Sequence, residues 1–204
     1  MSPGTRRNAQ KLETRRVVLD AALALFEERG YEPTTMRALA ERAGVALGTI
    51  FTHFPDKPAL LVAAFETDLG KVVEGAFARL PRRDVRAQLL HVARTLYRFY
   101  ARRPRLSREL VENTLFLESP QGAHPLETQV QRFLERVASV IADAVRRDEL
   151  RSDLAPFDAA LGFWSDYFTG LVIGLQQPRL GVAGQLALVA RLLDLRLDGM
   201  RRKR

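Results

Sequence analysis

Thr34–Phe54 reads TTMRALAERAGVALGTIFTHF, and the fold turns on this stretch. Met36, Leu39, Ala40 and Ala43 recur at i, i+3, i+4 and i+7, the spacing of one apolar helix face. Thr34 and Thr35 offer side-chain oxygens for the N-cap, and Gly44 supplies the left-handed residue that stops the helix. Gly44 and Val45 make a tight connection. Ala46–Phe54 follows as a second helix, too short to be stable alone, with Ile50, Phe51 and Phe54 as its apolar anchors. Pro55 ends it, because proline disfavours helical geometry in the residue before it. The spacing therefore predicts a short helix, a glycine turn and another short helix that leaves Leu47, Gly48, Thr49 and Thr52 facing outward.

Working outward, Val18, Ala21, Ala22, Leu25 and Phe26 mark a preceding helix that stops at Gly30. Downstream, Asp56 can cap a helix whose face is Leu61, Ala64, Phe65 and Leu69. Beyond Pro81 the periodic segments lengthen. Leu89 to Tyr100 outlines a helix ending before Pro104, and Leu106, Leu110 and Val111 outline a shorter one. The segment 118–125 reads as a loop. Val130 to Val145 is a long amphipathic helix, and two last helices cover roughly Pro156–Gln177 and Val182–Gly199. No run alternates with period two. The expectation is an all-α chain of about nine helices. It would comprise a basic N-terminal arm at 1–12, a three-helix helix-turn-helix domain at 13–57, a larger helical domain at 58–200, and a basic tail at 201–204.

Composition narrows the classes. The chain has 204 residues, 47% of them hydrophobic, enough for a buried core. It has no cysteine, which removes disulfides, thiolate metal sites and a cysteine nucleophile. The polar, basic start carries no apolar signal segment, and the apolar stretch from Phe157 to Leu175 is interrupted by Asp158 and Asp166, which argues against a membrane span. A formal net charge of +8 favours an anionic partner. That charge concentrates in Arg6, Arg7, Lys11, Arg15 and Arg16, in the arginines between Arg79 and Arg108, and in Arg201, Arg202, Lys203 and Arg204. Biased arginine usage in a GC-rich genome would leave the same mark.

A glycine turn between two short helices is the geometry that admits an exposed helix to a major groove about 12 Å wide. Here the residues resemble a known family. The stretch Ala21–Leu61 is similar to the N-terminal domain of the TetR transcriptional regulators. The likeness rests on Leu25-Phe26, Gly30-Tyr31, Thr34-Thr35, Leu39-Ala40, Ala43-Gly44-Val45, Gly48-Thr49-Ile50, Phe51, His53-Phe54 and Lys57, in that order and spacing.

The resemblance implies a DNA-binding set of Thr35, Arg37, Leu47, Gly48, Thr49, Phe51, His53 and Lys57. Arg37 would contact guanine or phosphate, and Lys57 would meet a phosphate at the start of the fourth helix. Arg37 also fits a solvated surface charge, and His53 fits a packed ring. Phe51, although in the DNA-binding set, reads with Phe54 first as core. Two residues depart from the family pattern. Ala46 stands where a capping serine is usual, and Phe51 stands where a tyrosine is usual.

The resemblance further implies a homodimer on a near-palindromic double-stranded DNA operator, joined through the last two long helices, where Gly170 and Gly174 permit close approach. Tyr97, Tyr100, Phe116, Phe133, Trp164, Tyr167 and Phe168 are the candidate lining of an apolar effector pocket, with Asp166 or Asn113 as polar handles; the same aromatics also fit a plain core. Arg94, Arg98 and Arg102 share one helix face and raise an anionic effector, or else pair with carboxylates or lie near DNA phosphates. The overall expectation is a bacterial, cytoplasmic, nucleoid-associated repressor released by a small molecule, with no cofactor, metal or membrane partner. An enzyme is disfavoured, since His53, His91 and His124 form no local metal motif and no phosphate loop or nucleophile elbow is present. The other rival is a module that binds anionic surfaces through its arginines.

Overall fold

Apolar repeats, glycine stops and proline breaks translate into helices separated by few residues. The computed structural model describes residues 3–115 and 125–201. Among these, the elements are α1 Pro3–Arg29, α2 Met36–Ala43, α3 Leu47–His53, α4 Lys57–Ala78, α5 Val85–Arg102, α6 Pro104–Leu115, α7 Pro125–Arg146, α8 Pro156–Gln176 and α9 Gly181–Met200, with a 3-10 turn at Pro178–Leu180 before α9. No strand occurs among the described residues. None of the described helices is long and apolar enough to cross a membrane. Residues 3–12, read above as an arm, continue α1 without a break. Phe116, most of the expected loop 118–125, and Arg202, Lys203 and Arg204 lie outside the described residues.

The chain divides into two compact units, one of residues 1–68 with 105–118 and another of 69–104 with 119–204. In the first, Val18, Ala22, Leu25 and Phe26 of α1 are at most 1% exposed, and Leu39, Ala40, Ile50 and Phe54 are buried. An i,i+3/i+4 stripe on each short helix thus disappears into one core, which stabilises helices that propensity alone would not. Tyr31 closes that core against Phe26, with ring centroids 5.3 Å apart. Leu60 to Phe65 in α4 are all buried, as expected of a helix apolar all round.

In the second unit, α8 and α9 run antiparallel at close range. A Cβ on Gly170 would lie 2.6 Å from Val189, and one on Gly174 would overlap the Gln185 side chain. The close approach expected of Gly170 and Gly174 is therefore realised within one chain, between α8 and α9. The Gln185 amide donates to the Gly170 carbonyl at 3.3 Å. Arg86 of α5 donates twice to Asp194 of α9, at 2.5 and 2.8 Å, and the Val85 N–H at the start of α5 donates to Glu149 at 2.8 Å.

Candidate nucleic-acid interface

The interface is assembled by caps and a turn. Thr35 has extended backbone and its hydroxyl oxygen accepts from the Ala38 N–H at 3.2 Å, which starts α2. Thr34 is 2% exposed, and its hydroxyl donates to the Gly30 carbonyl at 2.7 Å, fastening the α1 stop to the α2 start. α2 ends on Gly44 at φ 65°, in the left-handed region. The Val45 N–H then reaches back to the Ala40 carbonyl at 3.0 Å, closing the helix end. Ala46 precedes α3 and makes no side-chain cap, as its methyl group dictates. Arg42 pairs with Glu28 through two bonds of 2.9 and 2.6 Å, which braces α2 on α1.

These constraints sort the residues of α3 by face. Ile50 is fully buried, and Phe54, which caps the helix end, is 2% exposed. Gly48, Phe51 and Thr52 are exposed, and Leu47 and Thr49 are intermediate. Phe51 is thus not the core anchor suggested by its periodicity: it is 48% exposed. The core lies on the Ile50 side, and one residue further around a helix is about 100° away. Thr35 and Arg37 are exposed at the start of α2.

Lys57 has a different setting from the one its position implied. Its ammonium donates to the carbonyls of Tyr31 and Glu32, both at 3.1 Å, and lies 4.3 Å from the Tyr31 ring centroid. Burial, then the nearby carboxylates, push the Tyr31 hydroxyl up to about 12. The Lys57 charge is therefore spent within the unit. The free helix start beside it is capped by Asp56, whose carboxylate accepts from the Ala59 N–H at 2.7 Å.

His53 is intermediate in exposure and its pKa is lowered, first by burial and then by the positive charges of Lys11 and Arg15. Arg15 also lies over the Phe54 ring, 5.2 Å from its centroid. Lys11 and Arg15 thus flank the end of α3 and extend the basic surface there. They were absent from the residues assigned above, although their i,i+4 spacing places both on one face of a helix.

Of the aromatic residues assigned to an effector pocket, Tyr97, Tyr100, Phe133, Trp164, Tyr167 and Phe168 lie in the second unit. Tyr97 and Tyr167 stack with centroids 5.2 Å apart, and the Tyr97 hydroxyl donates to the Tyr167 carbonyl at 2.7 Å. Phe133 lies 5.6 Å from Trp164 and 6.0 Å from Tyr167, and Trp164 lies 5.7 Å from Phe168. Tyr100 is 8% exposed, and burial pushes its hydroxyl up to about 12. The polar handles are engaged elsewhere. Asp166 accepts two bonds from Arg196, and the Asn113 amide, in the first unit, donates to the Glu109 carbonyl at 2.7 Å. Arg94, Arg98 and Arg102 are exposed along α5.

Residues 18–64 match the family model described as bacterial regulatory proteins, tetR family. The chain thus carries a TetR-family N-terminal domain at residues 18–64. It is 34% identical over 130 residues to the HTH-type transcriptional repressor KstR of Rhodococcus jostii, covering 64% of this chain and 59% of that protein. It is 47% identical over 60 residues to KstR of Mycolicibacterium smegmatis, covering 29% of each. The matched stretches thus span less than two thirds of those relatives. The fold is similar to that of Thermus thermophilus FadR, a TetR-family repressor solved with lauroyl-CoA, at a TM-score of 0.67 and 25% identity over 93% of this chain and 96% of that one. It is also similar to a TetR-family regulator from Pectobacterium atrosepticum, at a TM-score of 0.71 and 23% identity over 96% and 97%.

Proposed function

We propose that the chain is a transcriptional repressor that binds a near-palindromic operator as a homodimer and is released by a small-molecule effector. The observation that carries this reading is the outward face of α3, where Gly48, Phe51 and Thr52 stand exposed on a helix anchored from behind by Ile50 and Phe54. A helix held so rigidly, with small residues outward, suits close approach to base edges. Thr35, Arg37, Leu47, Thr49 and His53 surround that face, with Arg37 the residue suited to a guanine or a phosphate. Lys57 lies at the edge of this set, since its ammonium donates to the Tyr31 and Glu32 carbonyls and the Asp56 carboxylate caps the start of α4.

Two recognition helices spaced by one groove repeat, about 34–36 Å, require a two-fold dimer. The surface suited to it lies on α8 and α9, where Phe157, Leu161 and Leu195 are 39%, 42% and 74% exposed. The effector site is assigned to the aromatic cluster around Tyr97, Phe133, Trp164 and Tyr167, an apolar environment suited to an acyl chain. Acyl-CoA is the first class to try, given the lauroyl-CoA complex of the similar Thermus thermophilus protein. An effector would act by shifting the population toward a dimer whose recognition helices no longer match the groove spacing.

The test is selection from randomised oligonucleotides with the purified protein, followed by binding to the selected site over a salt series. A near-palindrome bound as a dimer and lost on Arg37→Ala or Thr49→Ala is the expected result. Equal binding to all sequences that vanishes with salt would leave only an electrostatic surface and overturn the proposal.

A further inference from the structure

Among the described residues of the first unit, the exposed large hydrophobic side chains are Leu12 and Phe51. Phe51 belongs to the outward stripe of α3, together with Leu47, Gly48 and Thr52 at helical spacing. This stripe carries no charge. Its hydroxyl is already committed, because Thr52 donates back to the Gly48 carbonyl at 2.9 Å. Gly48 has nothing within 4 Å of the position a Cβ would take, so the face is open there, and the Phe51 ring is 48% exposed.

A face of this kind cannot read base edges by donating hydrogen bonds. The one apolar feature that distinguishes base pairs in the major groove is the 5-methyl group of thymine, and phenylalanine is among the side chains that contact it. From these observations we infer that Phe51 reads a thymine methyl group in each half-site, so that α3 contributes specificity by apolar contact while donor-based readout falls to residues around it. The inference rests on the operator-binding reading above and names the base feature that reading leaves open. Phe51 lacks the hydroxyl with which a tyrosine at the same place could reach a phosphate, and its exposed ring gains more by leaving water against a methyl group than by facing a charged backbone.

The inference is tested on the DNA. The protein first selects its preferred site, and each thymine of that site is then replaced in turn by deoxyuridine, which pairs identically and lacks only the methyl group. The expected result is one position per half-site at which the replacement weakens binding about fourfold, the equivalent of one buried methyl group. In the Phe51→Ala protein the same replacement should cost nothing further, whereas Phe51→Leu should retain part of the discrimination. Because Phe51 is half exposed, Phe51→Leu should leave thermal unfolding nearly unchanged, and the deoxyuridine series on the unaltered protein needs no variant at all. If every deoxyuridine site binds within twofold of the parent, or if the loss is the same in Phe51→Ala, the methyl assignment fails while operator binding stands. If no sequence preference emerges from the selection, the operator reading falls and the assignment falls with it.

Discussion

The Asp166 carboxylate and the Arg196 guanidinium form a two-pronged pair, both bonds 2.8 Å, between α8 and α9. Asp166 is 7% exposed, so its carboxylate faces this partner rather than water. The Arg196 pKa is raised, chiefly by the hydrogen bond to Asp166. Arg196→Ala would leave a buried carboxylate unpaired, at a cost of about 2–4 kcal/mol, discounted slightly because the arginine is partly exposed. Urea unfolding measures it. A loss below about 0.5 kcal/mol, the scale of a surface substitution, would show that water solvates Asp166 as well as the arginine does.

Gly48 and Gly170 separate binding from packing. Gly48 lies in α3 with open space where a Cβ would go, so Gly48→Ala should raise stability by about 0.5–1 kcal/mol through helix propensity. The same methyl group occupies the outward face and should weaken operator binding at least tenfold. Gly170→Ala should do the reverse. Its Cβ would lie 2.6 Å from Val189 and also collide with the Tyr97 hydroxyl, an overpacking cost of about 1–3 kcal/mol. Thermal melts and operator titrations on both variants distinguish the two effects.

Ala46 leaves the α3 start uncapped in an extended backbone already suited to a cap. Ala46→Ser should therefore stabilise the protein by about 0.5–1 kcal/mol. An unchanged melting temperature would mean that water serves the orphan N–H groups equally well.

His53 gives a pH dependence whose sign is determined by its lowered pKa. The unfolded chain, with an ordinary imidazole value near 6.5, takes up a proton before the folded one does as pH falls. The penalty on folding is therefore absent above about pH 6.5 and grows below it until the folded imidazole is itself protonated. His53→Gln should flatten the stability profile between about pH 7 and 5. Parallel profiles for the two proteins would assign the slope to other groups.

Much of the architecture was legible in residue order, because caps, stops and apolar periods act over a few residues. Thr35, Gly44, Pro55 and Asp56 bound their helices where local chemistry requires, and the motif from Leu25-Phe26 to Lys57 pointed to the family. What only the tertiary structure decided concerns partners far apart in the chain. On a helix as short as α3, Ile50, Phe51 and Phe54 all fit an apolar period, and only the position of the core shows that Phe51 stays outside. Lys57 looked free for phosphate until the chain around Tyr31 brought two carbonyls to its ammonium. Asp166 looked available to a ligand until α9 placed Arg196 against it. Local sequence determines where a helix begins, ends and turns an apolar face, since those depend on backbone hydrogen bonds within one turn. The neighbour that covers a face or neutralises a charge is determined only when distant segments fold together.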